Sequence, residues 1–494
     1  MNNNDNDRKS SWLPALFYTV LSVVAIALPI ALWQSSWPII QNTYGKQNEL
    51  KELLGFSGAL ALLIVAAVEL GKRRKESLKK LAPIILWLLV SFHFLMQISE
   101  YSARGYDYFC YEHASERFRH GQHPYHLDEY FVFSYPPLPA LGISWAYGAI
   151  QYVDGFSSDD EPITDEETNY LVYYFYQCAQ LLLLMLCYWL CYFFARRNGL
   201  DALYAALLVT ALLLLSNPLF RTLKHNQLNL WMLAFVMFSI LLYRRRPILG
   251  GLAVALGAHI KLYPFILAIP LAMTRRWRAI SATAVASLVI AIGIASLQDW
   301  YIWQIYFEYC IDQFLNAGSV FGSHMFRNNC IPSLVHNTLH FSGIEQILGP
   351  QQMNMLAGAL SKSILLGLAA WFAGRFYRRE KIFKSGALTI NAENYESWDD
   401  VYRMNGHFMD AVAFTLLAMP MVWEHHYVLA MPIVIWAAAL LGQRQPWRVA
   451  LAAALIFAIP TFDVFPLSYH RFAALIYLML LTSPMKMANC HSSS

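Results

Sequence analysis

Apolar runs long enough to cross hydrocarbon recur along this chain, and clusters of basic residues separate them. A helix needs about 17–25 apolar residues to cross a bilayer, and in lipid the backbone must satisfy its own hydrogen bonds. Both conditions point to a bundle of helices. The composition agrees: of 494 residues, 57% are hydrophobic and 14% charged, where a soluble domain carries about a quarter charged. The expected class is an all-α polytopic membrane protein of a plasma membrane (the inner membrane, if the source is bacterial).

Several functions fall away early. The net charge of +4, from 36 basic and 32 acidic residues, does not mark a nucleic-acid binder. No basic stretch interleaved with exposed aromatics stands outside the loops beside helices. The run 11–33 is longer than a signal-peptide core and lacks a small-x-small cleavage pattern, so it reads as a first span. There is no GxxxxGK, no GxGxxG after a strand and no HExxH, which removes the usual arguments for ATP, dinucleotide or zinc-protease chemistry. Seven cysteines show no metal spacing. Cys310 and Cys330 share an expected outer loop, where a disulfide and two free thiols are both open. No internal repeat pairs two halves as in a secondary transporter.

Basic residues favour the cytoplasmic side. Placing 72–80, Arg196 with Arg197, 244–246, 275–278, 375–381 and 444–448 inside fixes an alternation of spans. These fall near 11–33, 55–70, 81–98, 171–194, 200–216, 229–243, 279–297, 358–374, 408–422, 428–441, 449–460 and 469–482. Residues 248–273 go out and back, bending near 261–264, and a re-entrant pair packed within the protein fits this stretch equally well. The count is about fourteen segments, range 12–14, with both termini cytoplasmic. Residues 138–153 are expected as a helix in the outer interface, within an outer loop 99–170. A second outer loop covers 298–357, and 378–407 is the largest cytoplasmic loop.

With that topology, four polar features share the outer face. One is the segment 106–137 with its flank: Arg104, Asp107, His113, Arg117, Arg119, His123, Asp128 and Glu129. The others are KHNQLN at 224–229, Lys261 in HIKLYP, and WEHH with Glu424, His425 and His426. The loop 298–357 adds Arg327, Asn328 and Asn329. Each has a plain reading alone, as a solvated acid, a snorkelling lysine, an aromatic-belt neighbour or a helix cap. Their recurrence on one face favours chemistry, since ionisable groups beside hydrocarbon are costly.

The chemistry that suits them is transfer of a group from a lipid phosphate. Lys261, His425, His426, Arg104 and Arg327 are the candidates to hold the phosphate. Asn226, Gln227 and Asn229 suit sugar hydroxyls, and Tyr108, Tyr111, Tyr135 and Glu424 complete the sugar or acceptor set. Asp107 is the candidate general base, taking the acceptor's proton as the new bond forms. One base with direct displacement inverts the anomeric carbon; the sequence identifies no second nucleophile for a retaining route.

YDYFCYEHA with GQHPY and FSYPPLPAL, then NQLN, then GGLAVALGAHIKLYPFILAIPLAMTRRWR and finally WEHHYVLAMP follow one another in order over roughly residues 80–480. In these the chain resembles glycosyltransferase family 87, the polyprenol-phosphate-mannose-dependent mannosyltransferase-like proteins of the GT-C fold. The resemblance implies Asp107 as the family's loop aspartate, a polyprenyl-phosphate-sugar donor, a glycan or glycolipid acceptor, and transfer of one hexose, mannose or related, without cofactor or metal. It also implies a catalytic domain over 81–486, leaving 1–80 as two additional N-terminal membrane helices. The family's asparagine–serine motif is only loosely echoed in FRNNCIPSLVHN. Two other functions stay open: a transporter or flippase, which would move substrate without covalent product, and a lipid-linked glycan ligase, which would transfer a preassembled oligosaccharide.

Overall fold

The computed structural model describes residues 76–100, 104–125, 133–154, 164–308, 328–384, 396–442, 444–462 and 464–484. Among these every regular element is helical. The expected spans 11–33 and 55–70, together with Asp128, Glu129, Cys310 and Arg327, lie outside the described residues. Helix α1 (Glu76–Glu100) is followed by α2 (Tyr106–Arg119), α3 (Leu138–Asp154) and α4 (Asp165–Arg197). Then come α5 (Ala202–Leu214), α6 (Asn217–Lys224), α7 (Asn229–Leu242) and α8 (Pro247–Ile260). A 3-10 turn (Tyr263–Leu267) leads to α9 (Ala268–Met273) and α10 (Trp277–Leu297). The chain continues through α11 (Ile331–Phe341), α12 (Pro350–Lys384), α13 (Glu396–Ala418), a 3-10 turn (Glu424–Ala430), α14 (Met431–Leu441), α15 (Pro446–Ala453) and α16 (His470–Leu481).

The all-helical expectation stands; the count of about fourteen membrane segments in a GT-C arrangement does not. Among the described residues four helical stretches are long and apolar enough to cross a bilayer: α4, α10, α12 and Glu424–Leu441. A fifth is reached if α5 and α6, bent by 53°, form one broken span. The chain is an integral membrane protein on this basis, and its described residues hold far fewer such helices than their apolar runs suggest. The physical reason is that an apolar run fits a protein interior as well as a bilayer. Helices α7 and α8 have 14 residues each, about 21 Å at 1.5 Å per residue, short of a ~30 Å hydrocarbon core. Helix α7 is largely buried in protein, while the apolar window of α10 is only 17% buried. Charge counting cannot separate those two fates.

The long helix α4 is well specified locally. Thr164 and Glu167 form a capping box at its start, acids fill its first turn and Arg196 and Arg197 its last, all complementing the helix dipole. The expected cytoplasmic loop 378–407 is cut back from both sides, because α12 runs to Lys384 and α13 begins at Glu396. Residues 106–119, expected as loop, form helix α2.

Two cores result. The larger packs α4, α5, α7, α13 and α14 around Tyr188, Val209, Met237, Phe408, Ile433 and Trp436. The smaller is aromatic, with Tyr108, Tyr111, Phe133, Tyr135, Tyr173 and Tyr306 holding α2 against α4 and the residues after α10. Helices α8 and α10 approach so closely that a Cβ on Gly251 would lie 2.2 Å from the Ala279 carbonyl oxygen.

Candidate functional site

The site begins where α6 ends. Ser216 caps that helix, its hydroxyl accepting from the Leu219 N–H at 3.1 Å, and Pro218 sets its first turn. After His225 the chain reverses through Asn226, whose φ of 56° is left-handed, a conformation asparagine tolerates better than most residues. The reversal turns the amides of KHNQLN inward, so Asn226, Gln227 and Asn229 are all buried.

Each amide then has its own task. Asn226 Nδ2 donates to the Arg104 carbonyl at 2.8 Å, and its Oδ1 accepts from Gln177 Nε2 at 2.6 Å. Those bonds pin the entry to α2. Gly105 precedes α2 with φ 73° and ψ 154°, a region essentially reserved for glycine. A Cβ there would also meet the Lys224 carbonyl oxygen at 3.1 Å. Asp107 follows in the first turn of α2, where the helix dipole favours a carboxylate.

Gln227 links Asp107 to an aromatic wall. Its side chain hydrogen-bonds the Asp107 carboxylate, while its Oε1 accepts from the Tyr135 hydroxyl at 3.0 Å. Tyr125 in turn donates to the Tyr135 carbonyl at 2.9 Å. Burial pushes the Asp107 carboxyl up to about 6, against the positive charge of Lys261 and the Gln227 hydrogen bond, which both pull it down.

Lys261 arrives from another direction. It closes α8 in extended conformation, and its Nζ donates to Asn229 Oδ1 at 3.2 Å and lies 2.8 Å from His426 Nε2. The rings of Tyr135 and Tyr263 flank the ammonium, with centroids at 5.2 and 4.9 Å. His426 is held by the Trp423 N–H, which donates to Nδ1 at 3.0 Å, and by Tyr263 standing edge-on. His425 packs its half-buried ring against His426, and its carbonyl accepts from the Thr222 hydroxyl at 3.4 Å.

Thus Asp107, Gln227, Tyr135, Asn229, Lys261, His425 and His426 gather from five separate segments. Other sequence candidates sit elsewhere. Arg104 pairs with Glu112 and lies over the Tyr170 ring, 4.2 Å to its centroid. Tyr108 packs edge-on against Tyr173 and Tyr111 against Tyr135, both within the aromatic core. Glu424 is buried, with its Oε1 accepting from Arg471 Nη2 at 2.6 Å and its Oε2 3.4 Å from Arg221 Nε. Cys330 is buried, and its sulfur accepts from the Ser333 N–H at the start of α11.

Sequence reasoning missed several contributors. Gln177 and Gln180, buried amides in the apolar α4, clasp the 226–227 backbone and side chain; their amides were a readable signal. Tyr263, two residues after Lys261, was another. The tie between Asn328, Asn329 and Val422 gave none: the Val422 N–H donates to Asn328 Oδ1 at 2.9 Å, and the Asn329 N–H to the Val422 carbonyl at 2.7 Å. It fastens the residues just before α11 to the WEHH segment.

Residues 167–393 match glycosyltransferase family 87. That stretch contains the KHNQLN turn and Lys261, while Asp107 and the His425–His426 pair lie outside it. Over 233 residues the chain is 24% identical to a polyprenol-phosphate-mannose-dependent alpha-(1-2)-phosphatidylinositol pentamannoside mannosyltransferase of Mycobacterium tuberculosis (strain CDC 1551 / Oshkosh). The alignment covers 47% of this chain and 45% of that relative, so the chain spans less than half the length of the curated protein it matches. No solved structure matches the chain.

Proposed function

We propose that this chain, whose residues 167–393 match glycosyltransferase family 87, moves one sugar, mannose or a related hexose, from a polyprenyl-phosphate donor to a glycan or lipid-linked acceptor at the outer membrane face. The observation that carries this reading is the junction of Asp107 with Lys261 through Gln227, Tyr135, Asn229 and His426. It brings a base and an anion-binding group together where water is sparse.

In the reaction the acceptor hydroxyl oxygen attacks the anomeric carbon while the bond from that carbon to the phosphate oxygen breaks. Its proton passes to Asp107. Lys261, His425 and His426 hold the departing phosphate, whose charge counts for more in a low-dielectric site than in water. Among the described residues the other nearby acid, Glu424, is tied to Arg471 and Arg221. A single working carboxylate favours one displacement and inversion.

The test uses the full chain in lipid nanodiscs, supplied with a polyprenyl-phosphate-hexose and an acceptor. Asp107→Asn is expected to lower kcat by about 10²–10⁴-fold, the range of general-base catalysis, with donor binding and thermal unfolding unchanged. NMR of the product linkage reports inversion. Full activity in Asp107→Asn, or substrate movement across proteoliposomes with no covalent product, overturns the reading.

A further inference from the structure

Helix α15 does not end in an ordinary turn. It widens into a π turn (Ala454–Ala458), closed by the Ile459 N–H donating to the Ala454 carbonyl at 3.0 Å. The Ile456 carbonyl lacks its usual helical partner, because position 460 is proline and has no N–H. Arg471, the second residue of α16 and fully buried, supplies the donor instead. Its Nε donates to the Ile456 carbonyl at 3.0 Å, its Nη2 to the Ile459 carbonyl at 2.5 Å and its Nη1 to the Thr461 hydroxyl at 2.6 Å. A cation at the end of a helix is favoured by the helix dipole, and the guanidinium fork serves several partners at once.

The same Nη2 also donates to Glu424 Oε1 at 2.6 Å. Glu424 opens the 3-10 turn Glu424–Ala430, and Trp423, just before it, donates its N–H to His426 Nδ1 at 3.0 Å. With that bond in place, His426 Nε2 lies 2.8 Å from Lys261 Nζ. The other oxygen of Glu424 lies 3.4 Å from Arg221 Nε on α6. The start of α6 is fastened to the same π turn, since Asn217 Nδ2 donates to the Ala458 carbonyl at 2.8 Å. Helix α6 runs into the turn whose Gln227 hydrogen-bonds Asp107. Both sides of the site, the base and the phosphate-holding groups, are therefore anchored to the end of α15.

A buried ion pair is a poor device for stability alone, because well-packed apolar residues of similar volume serve as well or better. Its strength is directional. We propose that Arg471 is a positioning residue for the donor phosphate: through Glu424 it fixes the 423–426 segment, so that His426 and Lys261 face the phosphate together. Arg471 acts through Glu424 and not on the reacting atoms. The inference rests on the glycosyl-transfer reading.

The experiment measures donor KM, kcat per folded enzyme and thermal unfolding in nanodiscs. It compares wild type with Arg471→Lys, Arg471→Gln, Glu424→Gln and the double variant Arg471→Lys/Glu424→Gln, and uses Asp410→Asn, which breaks another buried ion pair, as the stability control. Arg471→Lys keeps the charge and loses the fork. It should raise donor KM about tenfold, the worth of a charged hydrogen bond, and lower kcat by up to about 100-fold through misplacement of the phosphate. Glu424→Gln should reproduce part of both losses. The double variant should lose little more than Arg471→Lys alone, because the two residues act through one link. Asp410→Asn should lower the melting temperature with donor KM unchanged. Arg471 variants that likewise lower only the melting temperature, or losses that add in the double variant, overturn the inference and leave the transferase reading standing. Were Arg471→Gln to fail to fold, Arg471→Lys and Glu424→Gln decide. Wild type that transfers no sugar removes both.

Discussion

Burial raises the Asp107 carboxyl to about 6, while Lys261 and Gln227 pull it down. A protonated carboxyl cannot accept the acceptor's proton, so kcat/KM is expected to be lost as pH falls through about 6 and to be retained above it. Replacing Lys261 by Gln removes a positive charge that favours the carboxylate. Besides weakening donor binding, Lys261→Gln should therefore shift this acid limb to higher pH. A pH–rate profile checks both points; an acid limb that stays put or moves down contradicts the assigned coupling. At this scale the sequence was informative for a simple reason: ionisable residues in an apolar chain are rare and costly, so Asp107, Lys261 and the His425–His426 pair stood out. Their partners did not. Arg471 reaches Glu424 across 47 residues and Gln177 reaches Asn226 across 49, and spacing along the chain carries no trace of either pair.

Among elements, α2 and the turn after α6 act as one part. Gly105 holds a backbone conformation that other residues adopt only under strain, and Asn226 clamps the carbonyl just before it. Gly105→Ala should cost about 1–3 kcal/mol of local strain and displace Asp107. The expected signature is a kcat loss with little change in donor affinity; unchanged kcat would show that α2 tolerates another entry geometry. Helices α8 and α10 make a second rigid joint at Gly251, where an added side chain runs into the Ala279 backbone. Gly251→Val should lower unfolding free energy by about 1–3 kcal/mol, as overpacking does, measured by thermal unfolding in detergent. A melting temperature equal to wild type would contradict the close approach. The glycines were visible in the sequence, but only the packed helices distinguish Gly251 from Gly293, whose added Cβ would meet nothing within 4 Å.

At the scale of the whole molecule, a buried ionic knot joins α12, α13 and α16. Arg375 Nε and Nη2 donate to Asp410 Oδ1 at 3.0 and 2.8 Å, Arg379 Nη2 to Oδ2 at 2.9 Å, and Arg375 also reaches the Met479 and Thr482 carbonyls. Asp410→Asn leaves two buried guanidinia without a counter-charge, and a loss of about 3–5 kcal/mol is expected. Thermal unfolding should register it, with donor KM of the remaining folded protein unchanged; wild-type stability would show the knot to be dispensable. The sequence read these basic residues as the border of a cytoplasmic loop, whereas they extend α12 and clamp its neighbours. Composition and apolar runs determined by themselves that the chain is helical and membrane-embedded, since backbone polar groups in hydrocarbon admit few other solutions. The ordered motifs carried a resemblance to glycosyltransferase family 87, which matches residues 167–393. Which apolar helices face lipid and which face protein was decided by tertiary packing alone, because hydrophobicity is the same in both settings. So was the convergence of Asp107, Lys261 and His426, because contacts between distant segments depend on how helices cross and not on how far apart their residues lie in the chain.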